Sequence, residues 1–286
     1  MNPSAFPPHP DFGSEWRLRP ATELDQPVLV GLENRASSQL FQYISPHSKL
    51  FIEDYARYFM ELTMFNLRDP RTVVIVAEST TPWIPRGPAN VANEATAHEV
   101  SLRFNVVGTA VWRLPKNSVR SGQFVVRDVS ATVLPRVPPH HRDRDVDPLR
   151  QLLCSALMHA GCEEHRFQDK LCLDALIVHQ DYRNGRYGKA LLDWGKKLAI
   201  QDRVGMGLLC SEGVLPYFRK HCFKTVRDFR VPSDGPDRGF TYKWCVLEEG
   251  TASREQSTDT HESEEDKVLT AGEQSQHKNI PIEWDV

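Results

Sequence analysis

The chain has 286 residues, 40% of them hydrophobic, enough to bury one substantial core with peripheral segments. A formal net charge of −3, with no basic-aromatic patch, argues against a nucleic-acid partner, and no apolar run is long enough to span a bilayer. The opening MNPSAFPPHPDFG lacks the basic start and apolar centre of a secretory signal, and the six cysteines form no CxxC pair, which together point to reduced thiols in a cytoplasmic protein, with a nuclear location left open.

In chain order, residues 1–15 read as a disordered extension. Trp16, Arg17, Leu18, Arg19, Pro20 and Ala21 then read as a first strand, running into a helix capped by Asp25 with Leu24, Val28 and Leu32 as its apolar stripe. A second helix is expected over 51–65, with Tyr55, Phe59 and Leu62 inward. The β-branched run 72–78 and the run 106–114 are strands, separated by a loop insertion near 80–98 that is rich in proline and small residues. A second insertion, 115–147, carries the mixed-charge string around His140 and His141 and reads as a surface connection with a short strand at 123–126. Leu149, Leu152, Leu153, Ala156, Leu157 and Ala160 mark the face of a helix over 148–164. Later come a strand at 207–211, a short helix at 213–221, and a closing antiparallel pair at 225–231 and 240–247. The tail 248–286 holds eleven acidic and three basic residues and few apolar ones, so a disordered, solvated appendage is expected, leaving the body net positive.

The most telling stretch is 171–192, LCLDALIVHQDYRNGRYGKALL. Leu171, Leu173, Leu176 and Val178 make a mostly buried strand, while Tyr187, Leu191, Trp194 and Leu198 fall on one helical face. Between them lie Arg183, Asn184, Gly185, Arg186 and Gly188, with Lys189 on the first helical turn. Free N–H groups at a helix start, beside glycines and cations, suit a diphosphate. The bland alternative is a surface turn with solvated arginines. Neither GxGxxG nor GxxxxGK[ST] occurs, which disfavours other nucleotide-binding α/β domains.

With Val178, Tyr182, Arg183 and Gly188 in these places, the chain resembles the GNAT family of acetyl-CoA-dependent N-acetyltransferases over residues 16–247. The family pattern has a glycine where Arg186 stands; either Gly185 takes over the close approach or the pyrophosphate sits less deeply, and positive φ at Arg186 would cost about 1 kcal/mol. The resemblance implies an α/β fold, a mixed, mostly antiparallel central sheet splayed between its fourth and fifth strands, with helices on both faces. It also implies acetyl-CoA as co-substrate, entering the splay against backbone groups of Leu176, Ile177 and Val178, the last two foremost. An amine acceptor attacks the thioester directly, with no metal.

That chemistry needs a base for the amine, a donor for the oxyanion and a proton for the departing thiolate. Asp174, the acid inside the fourth strand, is the candidate base or relay; its alternative is an exposed strand residue or ion-pair partner. Glu212 is a weaker candidate that equally suits a helix cap. Tyr217 is the candidate acid, or else a packed tyrosine, because the family position one residue later is Phe218; Cys222-Phe223 likewise replaces the family's Gly-Phe. The cofactor-binding set is thus Ile177, Val178, Arg183, Asn184, Gly185, Arg186, Tyr187, Gly188 and Lys189. The three departures keep a second reading open: a degenerate, non-catalytic acyl-CoA-binding module. Cys154, His159, Cys162 and His165 are placed apart on the helix and read as chance clustering rather than a zinc site. Aromatic residues of the first helices (Phe41, Tyr43, Tyr55, Tyr58, Phe59) suggest an apolar-walled acceptor cleft without naming the amine.

Overall fold

A computed structural model describes residues 16–36, 39–80, 105–126, 143–183, 186–231 and 239–249. The expectations for 1–15, most of the first insertion, the centre of the second with His140 and His141, Asn184, Gly185 and the tail from 250 lie outside the described residues. The elements run β1 (Trp16–Pro20), α1 (Gln26–Arg35), α2 (Gln39–Ile44), α3 (Ile52–Arg68), β2 (Thr72–Ser79), β3 (Asn105–Arg113) and α4 (Pro148–Glu164). They continue with β4 (Leu171–Val178), α5 (Tyr187–Asp202), β5 (Met206–Ser211), α6 (Leu215–Lys220), β6 (Lys224–Val231) and β7 (Phe240–Leu247).

The strands form one sheet in the order β1-β2-β3-β4-β5-β7-β6. β4 and β5 pair in parallel, and the other neighbours pair antiparallel. The uninterrupted apolar run of β2 follows from burial on both faces. Val73, Ile75 and Ala77 join a core with Leu191, Leu192, Trp194 and Leu198 of α5, while Val74 and Val76 pack with Leu29 of α1 and Leu67 of α3. Helices therefore cover both faces, α5 and α6 on one side and α1 to α4 on the other.

Four local expectations are corrected. In α1, Leu24 is 91% exposed and Val28 is exposed, and the inward face is Leu29, Leu32 and Glu33. Leu24 belongs to a preceding 3-10 turn, Glu23–Asp25, so a helical stripe does not extend through it. Nor does the Asp25 carboxylate cap α1; it accepts from Thr22 N–H at 2.7 Å and from both terminal nitrogens of Arg19. In α4, Leu149 and Leu152 point outward, while Cys154 and Gly161 are buried, because the helix leans over a cavity on its other face. No strand forms at 123–126: Gln123 N–H bonds back to Arg120 O, and Arg120 clamps this turn to Asp202 at 2.7 Å.

Candidate active site

The parallel ladder holds for Leu171↔Met206, Cys172↔Gly207 and Leu173↔Leu208, then stops. Beyond it, β4 stays paired to β3 as far as Val178↔Gly108, and β5 to β7 as far as Ser211↔Tyr242. The two central strands thus turn their facing edges to a gap. His179 N–H donates to Val107 O at 2.8 Å, so strand alternation turns the backbone groups of Ile177 toward β3 and leaves those of Leu176 and Val178 on the gap. Ile177 instead borders the cavity on the α1–α4 side.

A β-bulge positions Asp174. Val111 pairs with Ala175 and Trp112 with Leu173, so Asp174 is the extra residue. The bulge switches parity: Leu171 and Leu173 before it, and Leu176 and Val178 after it, pack toward the α5-side core. Cys172, Asp174, Ala175 and Ile177 border the opposite cavity. Arg113 Nη2 donates to Asp174 Oδ1 at 2.8 Å. The Asp174 side chain keeps 37% of its surface accessible, and it lies on the floor of an open cavity whose walls surround it with protein. Desolvation there outweighs the pull of Arg113 and Arg71, with Asp69 adding to it, and raises the carboxyl to about 6. Asp174 is therefore both an ion-pair partner and a group tuned toward neutrality.

After β4 the chain makes a 3-10 turn, Gln180–Tyr182, and α5 starts at Tyr187. Arg183 is half-buried beside this start, and Arg186 and Lys189 are exposed on it, Lys189 paired with Asp193 at 2.9 Å. Arg186 has φ −78°, so the replaced glycine imposes no positive-φ strain. Tyr187 anchors the helix start: its hydroxyl donates to Ser79 Oγ at 3.0 Å, and its ring meets Trp16 and Tyr182 edge-on. Gly188 lies close to two neighbours; a Cβ there would be 3.6 Å from Tyr217 Oη and 3.7 Å from Val178 Cγ2.

The Tyr217 hydroxyl is consequently placed beside the end of β4 and the start of α5. Burial, with Asp193 nearby, pushes the phenol well above its ordinary value, so it is a protonated donor at neutral pH. Its neighbour Phe218 is buried in the core. Helix α6 ends in a Schellman motif: Cys222 N–H donates to Arg219 O and Phe223 N–H to Phe218 O, with Cys222 at φ 62°. This is the left-handed position that glycine fills most cheaply, so Cys222 holds it at a conformational cost. Cys222→Gly is expected to raise unfolding free energy by about 0.5–1 kcal/mol, read as a higher urea midpoint at unchanged slope.

On the other face of the sheet is a cavity of about 570 Å³ walled by α1 to α4 and floored by β3, β4 and β7. Aromatic residues Phe41, Tyr58 and Phe59 line it, as do Asp174 and Arg113. Cys154, His159 and Cys162 border it together, contrary to the helical-wheel expectation, because Cys162 falls between the other two, about 80° and about 60° round the helix from them, and the cavity spans that arc. Among the described residues no group of three or more His, Cys, Asp or Glu is arranged to hold a metal. The sequence reading missed Glu33, which borders the cavity at 7% exposure and accepts from Thr63 Oγ1 at 3.0 Å. Burial raises it to about 7 against that one hydrogen bond. The available signal was its position four residues after Leu29, on the buried side of α1. Glu212 is exposed beyond β5, and its carbonyl accepts from Leu215 N–H.

The described residues thus present a mixed α/β sheet parted between two parallel strands, beside a helix start flanked by arginines. A protein from Stachybotrys chartarum named "Acetyltransferase" is 34% identical over 244 residues, 85% of this chain and 94% of that protein. This chain belongs to the GNAT acetyltransferase family. No family model matches it. Solved structures with a likeness in fold include Arabidopsis thaliana NAA60 in complex with acetyl-CoA, 15% identical with TM-score 0.41, covering 82% of this chain and 98% of that one. Another is the histone acetyltransferase HPA2 and related acetyltransferase from Corynebacterium glutamicum, 15% identical with TM-score 0.41, covering 80% and 95%. No helix among the described residues is long and apolar enough to cross a membrane.

Proposed function

We propose that the protein is an acetyl-CoA-dependent N-acetyltransferase that moves the acetyl group directly to a primary amine. The observation that carries this reading is the gap between β4 and β5, which opens beside the N-terminus of α5. Family membership supports acyl transfer, and the unpaired strand edges at Leu176 and Val178 suit an amide-bearing pantetheine arm. The diphosphate belongs at the turn, with Arg183, Arg186 and Lys189 supplying charge and the first N–H groups of α5 supplying donors.

The reacting nitrogen, an ammonium in water, gives up one proton to Asp174, directly or through water, and its lone pair attacks the thioester carbonyl carbon. The adduct's second nitrogen proton leaves to solvent, from which Tyr217 regains its own after the thiolate departs. A backbone N–H on the β4 edge steadies the oxyanion. Collapse restores the carbonyl and breaks the C–S bond, and the thiolate takes the Tyr217 proton. Arg186 and Cys222, two of the residues that opened the degenerate reading, keep ordinary φ and the left-handed turn position respectively. The test is a thiol-release assay across polyamines, aryl amines, aminoglycosides and peptides, with calorimetry for acetyl-CoA. Coenzyme A binding without thiol release from any amine would favour the non-catalytic module. Arg183→Ala is expected to raise the acetyl-CoA Kd about 10- to 100-fold by removing a charge-assisted phosphate contact. An unchanged Kd in that titration takes Arg183 out of the site.

A further inference from the structure

Glu33 is a charged side chain in the wrong place for ordinary stability. It is 93% buried on α1, and among the described residues its one hydrogen-bond partner is the neutral hydroxyl of Thr63 from α3. An ionised carboxylate so enclosed carries a desolvation cost unless a cation arrives. No cation pairs with Glu33 among the described residues: Arg113, which lines the same cavity, holds Asp174, and Arg35 of α1 reaches His179 at 2.8 Å. What Glu33 does border is the cavity of about 570 Å³, whose walls there include Phe41, Tyr58 and Phe59. Ring faces beside a buried carboxylate attract an organic cation twice, through charge and through their quadrupoles. The volume lies in the range of small-molecule sites.

Resting on the acyl-transfer reading, we propose that Glu33 anchors a cationic group of the acceptor, which is a compact organic cation whose apolar body lies along Phe41, Tyr58 and Phe59. The acceptor docks through a cationic group separate from its reacting nitrogen, the cation lying against Glu33 while the reacting nitrogen is delivered to Asp174 on the cavity floor. Glu33 positions the acceptor and takes no part in bond making. A neutral amine of the same shape loses the anchor, and a bulky polyhydroxylated amine loses the aromatic walls.

The test separates this site from turnover by using benzyltrimethylammonium, a cation that cannot accept an acetyl group, and benzyl alcohol as an uncharged counterpart. Calorimetry on the whole chain is expected to show the cation binding at least tenfold more tightly than the alcohol. Glu33→Gln, which keeps the shape and the Thr63 hydrogen bond, is expected to abolish that preference while leaving acetyl-CoA affinity unchanged. Equal binding of cation and alcohol to the wild-type protein overturns the proposal, and that comparison stands even where the variant does not fold. Equal cation binding to wild type and Glu33→Gln overturns it too. Acetyl-CoA titrated alongside reads the acyl-transfer proposal by itself: cation binding through Glu33 without coenzyme A binding keeps the anchor and removes the transferase.

Discussion

Asp174→Asn is expected to lower kcat by about 10²- to 10⁴-fold, the range lost with a positioned general base, while the acetyl-CoA Kd stays near the wild-type value. The split follows from position, since Asp174 lies in the bulge on the cavity side, away from the turn and the α5 start that would hold the diphosphate. In the wild type the carboxyl is raised to about 6. A base works deprotonated, so kcat/KM for the amine is expected to rise through about pH 6 and then level until the acceptor's own titration intervenes. The same shift acts oppositely on stability. The folded-state value lies above that of a free aspartate, so the stabilisation is present below about pH 4 and is lost as pH rises through about 6. Asp174→Asn is expected to flatten both the acid limb of activity and this part of the stability curve. Equal kcat in the variant would leave Asp174 as the ion-pair partner of Arg113 only.

Gly195→Ala is expected to destabilise the protein by about 3 kcal/mol, lowering Tm by about 6–12 °C. A methyl on Gly195 would lie 2.2 Å from Cζ2 and 2.3 Å from Cη2 of Trp112. Trp112 is wholly buried at the centre of the sheet and has no room to retreat. The strain is relieved by lifting α5 from β3, and that helix carries the proposed phosphate-binding start eight residues earlier, about 12 Å along its axis. Acetyl-CoA affinity is therefore expected to fall along with stability. Gly213→Ala is the control, because nothing lies within 4 Å of its Cβ position. Gly213 lies in the turn before α6, and loss of glycine's freedom in the unfolded chain would by itself leave Tm equal or higher, so a drop of similar size in the control would take the Trp112 clash out of the explanation.

Most of the elements were legible because their apolar residues repeat at the period of the structure they form. β2 reads as a strand from Thr72, α4 spans the expected 148–164, and β7 runs from Phe240 to Leu247. The strand, turn and helix at 171–192 were legible for the same reason. Less so was the direction each surface faces when a cavity rather than packed core lies beneath it. The α4 leucines read as an inner face because apolar residues usually turn inward, yet Leu149 and Leu152 are exposed and α4 turns Cys154, Met158 and Cys162 to the cavity.

Asp174 was visible as an acid within a strand, and the apolar positions 171, 173, 176 and 178 already break their alternation around it. What that break does needed the pairing with β3, which shows the bulge and the Arg113 contact. Glu33 had no comparable mark, since its enclosure comes from α3, whose Thr63 is thirty residues away in sequence.

By itself, the sequence determined the alternation of strands and helices, the family, and the cationic turn ahead of α5, because these depend on local periodicity and on residues adjacent in the chain. Tertiary structure alone decided where β4 and β5 part, that Arg186 needs no glycine conformation, and which carboxylates share the cavity. Those depend on strand register and desolvation, which are set by atoms brought together from distant parts of the chain.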